Sequence, residues 1–167
     1  EYNGNRYVLI DESMTWEEAN LYCHQLGGHL ATITSQGEQD FITNLIKTGS
    51  KNCYWIGLSY YRNNWHWVTN ENFVYTNWKP GEPSNITEEY VSIYSGIGVK
   101  DTYIGKWNDT LNAFDPQGND FYSYRNSGII CEWDNESDLE LPNPPTNIII
   151  NTQTNNIELK WDAPEDK

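Results

Sequence analysis

The chain has 167 residues, with 24 acidic against 10 basic side chains and a formal net charge of −14. That length suits one domain of ordinary size with an appendage, and that charge argues against nucleic acid and against anionic membrane surfaces as partners. No apolar run approaches the roughly 20 residues of a membrane span, so membrane insertion is not expected.

Read in chain order, two helices come first. In "TWEEANLYCHQLGG", Thr15 and Glu18 have the spacing of a capping box, and Trp16, Ala19, Cys23 and Leu26 recur at helical spacing before Gly27. In "TSQGEQDFITNLIKTG", Ser35 and Glu38 repeat that device, Phe41, Ile42, Leu45 and Ile46 form the apolar stripe, and Gly49 closes it. The pattern then changes. "CYWIGLS", "WHWVT", "FVYTNW", "EYVSIY" and "GIICEW" are short, β-branched and aromatic, separated by Gly, Asn and Pro clusters, and predict strands. Long loops lie between them, above all Tyr94 to Lys106 and Thr110 to Gly128, and loops of that length usually carry function. The class is therefore α+β. The expected domain covers 1–135, a charged and Pro-rich linker covers 136–147, and 148–167 alternates like two strands with a turn at Thr154 to Asn156.

"YVLIDESMTWEEANLYCHQLGGHLATITSQGEQDFI", "YWIGLS", "NWKPGEPSN", "KWND" and "GIICEW" resemble, in order and register, the C-type lectin-like domain, over almost all of Gly4 to Trp133. The tail resembles the truncated start of a fibronectin type III module, with Trp161 at the place of a core Trp. The first resemblance implies two helices, small antiparallel sheets and a long loop region bearing calcium and sugar. It implies a disulfide between Cys23 and Cys131, hence an extracellular, secreted or cell-surface location. The family's second disulfide has no counterpart, since Tyr90 stands where its first cysteine would be, and Cys53 is left as a buried thiol or an intermolecular link.

Carried over position by position, the calcium ligands are Glu82, Ser84, Glu88, Asn108 and Asp109. The implied sugar contacts are Glu82, Ser84, Asn85, Glu88 and Asn108, with vicinal hydroxyls coordinating a single Ca2+. Calcium takes six to eight oxygen ligands and tolerates irregular geometry, which suits this mixture. Serine at 84 departs from the family's asparagine. A hydroxyl lacks the amide's second proton, so the sugar is expected to bind more weakly or with altered preference, by about 1 kcal/mol for one hydrogen bond. Ser84 and Asn85 both remain open for that role, as do Glu88 and Glu89 for the acid. Glu82 leans toward mannose-type glycans. Tyr94, Tyr103, Phe114, Phe121 and Tyr122 are candidates to stack on a sugar ring.

Other signals point nowhere. His24, His29 and His66 show no zinc spacing, and no nucleophile motif or phosphate loop is present, so no catalytic role is expected. Sequons stand at Asn85, Asn108 and Asn135, and a glycan on Asn108 would bury an expected ligand. The expectation is a calcium-dependent carbohydrate-binding module of a larger extracellular protein, working beside further modules of the same chain and of bacterial source. The alternative is a calcium-independent, protein-binding adhesin domain that uses the long loops.

Overall fold

The computed structural model describes residues 1–111 and 127–135 and, beyond them, the backbone of two strands, Thr146–Gln153 and Asn156–Asp162. The chain divides into two compact units, Glu1–Asp134 and Asn135–Lys167. In the first unit the order is β1 (Arg6–Ile10), α1 (Trp16–Gln25), β2 (His29–Leu30), α2 (Gln36–Ile46), β3 (Cys53–Tyr61), β4 (Asn64–Trp67), β5 (Tyr90–Tyr94), β6 (Trp107–Thr110) and β7 (Ser127–Trp133). The second unit contains an antiparallel pair, β8 (Thr146–Gln153) with β9 (Asn156–Asp162).

Both helices begin where their capping residues place them. Thr15 Oγ1 accepts from Glu18 N at 3.2 Å while Glu18 Oε2 accepts from Thr15 N at 2.9 Å, a complete box. Trp16, Ala19 and Cys23 are buried, but Leu26 falls at the C-cap, beyond the buried stripe, and is 47 % exposed. At α2 only half of the device forms. Ser35 Oγ accepts from Glu38 N at 3.2 Å, yet the Glu38 carboxylate turns to Thr34 N at 2.8 Å and to the Tyr7 hydroxyl at 2.7 Å. The phenol draws that acid into the core.

The expected small antiparallel sheets are one mixed sheet. Its order is β1-β7-β3-β5-β6, with β2 also on β7 and β4 also on β3. The join is the parallel pairing of β3 with β7, Cys53↔Ser127 through Trp55↔Ile129. It arises because the first six residues of β3 are all buried, so β3 runs through the middle of the sheet with partners along both edges. Gly57 is required on it: a Cβ there would lie 2.6 Å from the Leu30 carbonyl oxygen and 2.8 Å from Val68 Cγ2. "FVYTNW" does not form a strand. Phe73, Tyr75 and Trp78 instead pack as irregular chain against the core, with one bridge between Trp78 and Trp107.

Trp107 joins core to site. Fully buried, it meets Trp67 at 5.7 Å, Trp78 at 5.7 Å and Tyr75 at 5.9 Å between ring centroids, all near edge-on. Its indole N–H donates to Gln39 Oε1 at 2.8 Å, and Gln39 Nε2 donates onward to Gly105 O at 3.0 Å. A buried polar group so paired avoids the desolvation cost of an orphan.

All three cysteines are buried, and Cys23 on α1 and Cys131 on β7, the pair of the expected disulfide, lie side by side. Cys53 lies in the core strand with Sγ 3.2 Å from Ser127 Oγ. Where the family's second disulfide is missing, Tyr90 on β5 packs tilted against Trp16 at 4.8 Å between ring centroids, and its hydroxyl donates to Glu17 Oε1 at 3.1 Å. An aromatic contact thus ties the ligand-bearing strands to α1.

The Tyr7 hydroxyl stands 2.7 Å from both Glu38 Oε1 and Glu132 Oε1, and both acids are buried. Tyr7→Phe removes the hydroxyl that both buried carboxylates face, whose single proton they share. The expected destabilisation is about 1–3 kcal/mol, read as a lower denaturation midpoint in urea; an unchanged midpoint would mean that water replaces the hydroxyl.

Candidate cation and glycan site

The site forms where the chain after Trp78 meets the end of β6. Asn108 pairs with Ser92, and Asp109 with Val91, across the β5–β6 ladder, so a rigid sheet fixes both. Asn108 is 8 % and Asp109 1 % exposed. Opposite them runs Lys79 to Glu88, with a cis peptide between Glu82 and Pro83 and Gly81 at φ +97°. The loop is pinned by backbone: Ser84 N at 2.9 Å and Asn85 N at 3.2 Å both donate to Asp109 Oδ2.

All five expected ligands converge. The Glu82 carboxylate neighbours Ser84 and Asp109, and Ser84 Oγ lies 3.3 Å from Glu88 Oε2. Asn108 donates from Nδ2 to Asp109 O at 2.6 Å, leaving Oδ1 to face inward. Asn85 does not turn its side chain to the group: its Oδ1 accepts from Thr87 N at 3.2 Å, forming a local turn. Glu89 is exposed, and the structure links Glu88, not Glu89, to Ser84.

Lys79 is a member that sequence reasoning missed. Its ammonium donates to Glu82 Oε1 at 2.8 Å and to Asn108 Oδ1 at 3.1 Å, with side chains only 20 % and 12 % exposed for the Lys79–Glu82 pair. The rings of Tyr94 and Tyr103 face the same ammonium at 5.7 and 6.0 Å. A lysine three residues before a motif glutamate gives no sequence signal, because its reach back across the site depends on the loop's path.

The group's electrostatics favour a cation. Burial opposes charge on Glu82, but Lys79, Ser84 and Asp109 together outweigh it and hold the carboxyl below its ordinary range. Burial pushes Asp109 up, and the neighbouring Glu82 adds to that. Glu82 Oε2 and Asp109 Oδ1 are both buried without a hydrogen-bond donor. Two such oxygens on adjacent carboxylates, beside an amide oxygen and a hydroxyl, form an oxygen-only donor set that fits a hard divalent cation.

Of the candidate stacking rings, Tyr94 is 1 % exposed and belongs to the core, which removes it from that role. Tyr103 is half-buried beside Lys79. Phe114, Phe121 and Tyr122 lie outside the described residues. The side chain of Asn108, the residue of the central sequon, is buried and hydrogen-bonded through both of its terminal atoms.

Residues 12–113 match the model of the lectin C-type domain family. Rat lithostathine is 35 % identical over 122 residues, covering 70 % of this chain and 70 % of that protein. The cow C-type carbohydrate-recognition domain of CD23, solved in the presence of a GlcNAc2Man3 oligosaccharide, superposes with a TM-score of 0.58 at 27 % identity, over 79 % of this chain and 89 % of its own. SPL-2 from Saxidomus purpuratus, described as a Ca2+-independent C-type lectin, superposes with a TM-score of 0.65 at 25 % identity, over 80 % of this chain and 89 % of its own. These relatives come from animals and lend the expected bacterial source no support.

Proposed function

The chain belongs to the C-type lectin domain family, and from that premise we propose that it recognises a glycan's vicinal hydroxyls through a calcium ion held by Glu82, Asn108 and Asp109. Ser84 and Glu88 stand at the rim of that group. As a member of this family the domain is a carbohydrate-binding domain and not an enzyme. The single observation that carries the reading is the pair of buried, donorless oxygens, Glu82 Oε2 and Asp109 Oδ1. Carboxylates buried together without a donor between them are costly unless a cation or proton joins them.

Calcium in that place would supply coordination for two sugar oxygens. The chain's own part is orientation. Glu82 and Glu88 accept protons from hydroxyls, and the Asn108 amide can donate as well as accept. Ser84 offers one hydroxyl where an amide would offer two protons, so a mannose-type preference, argued from Glu82, is weakened. We further read Cys23 and Cys131 as a disulfide in an oxidising, extracellular compartment, and the β8–β9 hairpin as the opening of a fibronectin type III-like module in a longer chain.

A second reading has its own observation. Lys79 already places a positive charge against Glu82 and Asn108, and a glycan hydroxyl could bind these groups with no metal. Calorimetry on chelator-stripped protein separates the two. Saturable uptake of one calcium ion, followed by mannose binding that chelator abolishes, is the expected result. Mannose or galactose binding that persists in chelator selects the Lys79 reading, and no binding of either calcium or sugar would end both.

A further inference from the structure

Strand β2 holds only two residues, and its register on β7 sets His29 opposite Glu132. Asp134 follows two residues after Glu132, just past the end of β7 at Trp133. One ligand-type atom from each of His29, Glu132 and Asp134 lies within 4.8 Å of the other two. His29 is 9 % exposed, and its Nδ1 stands 2.9 Å from Leu30 O. That contact assigns the proton to Nδ1 and leaves a lone pair on Nε2. Nε2 is buried without a hydrogen-bond partner and stands 3.3 Å from Asp134 Oδ2. A lone pair and a carboxylate oxygen at that separation need a cation or a proton between them. Ligands about 2.0 Å from a tetrahedral zinc ion lie about 3.3 Å from one another.

We infer that His29, Glu132 and Asp134 form a second cation site, built for a zinc-class divalent ion with its fourth position open to water. The donor set is unlike that of the glycan site: an imidazole with two carboxylates suits zinc and its neighbours, whereas calcium takes oxygens. The ligands are held in place from behind. Asn5 Nδ2 donates to Glu132 Oε1 at 2.8 Å and reaches Asp134 Oδ1 at 3.4 Å, the Tyr7 hydroxyl stands 2.7 Å from the same Oε1, and Thr32 N donates to Glu132 Oε2 at 2.9 Å, so Oε2 is the oxygen left to face an ion. Such partners fix ligand orientation around a metal. The plainer alternative is an ion pair between protonated His29 and Asp134, which needs no metal and responds to none. Sequence spacing hid the group, because His29 stands on an early strand and the two acids at the far end of the domain.

The test is zinc titration by calorimetry on the full chain after chelator treatment, with cobalt(II) as a spectroscopic stand-in. The expected result is one saturable zinc site, visible absorption bands of four-coordinate cobalt, and a rise in melting temperature with zinc. Loss of a ligand should weaken binding by more than about 100-fold, beyond the 10–100-fold that removing a mere supporting partner produces. That loss is expected in His29→Gln and again in Asp134→Asn, whose side chain is 42 % exposed and whose substitution leaves the core intact. Asp109→Asn should leave zinc binding unchanged. Absence of zinc binding in the wild type overturns the inference, as does binding that survives Asp134→Asn. Binding removed by Asp109→Asn would also overturn it, since the zinc would then be in the glycan site.

Discussion

Asp109→Asn should take up calcium at least about 100-fold more weakly than the wild type, a loss of about 2.7 kcal/mol, and yet melt higher in chelator. The two effects have one cause. Asp109 Oδ2 accepts from Ser84 N at 2.9 Å and Asn85 N at 3.2 Å, and an asparagine oxygen can hold that position and keep the loop pinned. The other terminal atom is the donorless Oδ1. Replaced by an amide nitrogen, it becomes a donor facing Glu82. The metal loses one unit of ligand charge, which is a main control on calcium affinity, while the calcium-free protein loses a like-charge contact. Burial already pushes the Asp109 carboxyl up, so its charged form opposes folding at neutral pH, and that opposition fades as pH falls. Neutralising it should stabilise the metal-free state by about 1 kcal/mol, or roughly 2–5 °C for a unit of this size. In excess calcium the order reverses, because the wild type alone gains binding energy, about 2.7 kcal/mol at 100 times its dissociation constant. Calorimetry gives the affinity, and scanning with and without chelator gives the crossing. Unchanged calcium uptake would remove Asp109 from the site, and a lower melting temperature in chelator would show that the two carboxylates are not in tension.

Some of what depends on local spacing was legible in the sequence. Thr15 with Glu18 marked the start of α1, whereas Glu82, Ser84, Glu88, Asn108 and Asp109, which the fold brings together, were named only through the family resemblance. Whatever depends on long-range register was not. Strands β1 and β2 are short and find their partners far along the chain, as in Arg6↔Trp133 and His29↔Glu132, and nothing within five residues announces such a pairing. The parallel alignment of β3 with β7, which merges the sheet, was hidden for the same reason. "FVYTNW" misled in the other direction. Its aromatic residues look like strand residues, but they serve the cluster around Trp107, and loop chain can present rings to a core as well as a pleat can. The carboxylate of Glu38 was read as a local cap because only its neighbours were visible, whereas Tyr7 on β1 redirects it. Lys79 illustrates the limit most plainly. It lies inside the motif stretch, yet its role is defined by Asn108, which only folding brings within 3.1 Å.

That placement makes Lys79 a tethered competitor for the calcium position. Its ammonium occupies Glu82 Oε1 and Asn108 Oδ1, two of the oxygens an ion would need. Calcium uptake must therefore first break one charge-assisted hydrogen bond and a second bond to an amide. A hydrogen bond to a charged group contributes about 1.5–3 kcal/mol, so releasing these oxygens beforehand should tighten calcium binding roughly 10- to 100-fold. Lys79→Met is the suitable change. Methionine keeps an unbranched, flexible stem of similar length against the rings of Tyr94 and Tyr103 and removes only the charge. The metal-free protein should suffer in proportion, because Glu82 and Asp109 lose the cation that now offsets one of them. Lys79→Met is thus expected to melt lower than the wild type in chelator and to show a larger rise on adding calcium. Sugar binding divides the two functional readings further. If glycan recognition passes through calcium, Lys79→Met should bind mannose at lower calcium concentrations than the wild type does. If Lys79 itself is the working cation, the substitution should abolish sugar binding that persists in chelator. Calcium affinity left unchanged or weakened by Lys79→Met would refute competition, and would mean that the ammonium swings clear of the site without resistance.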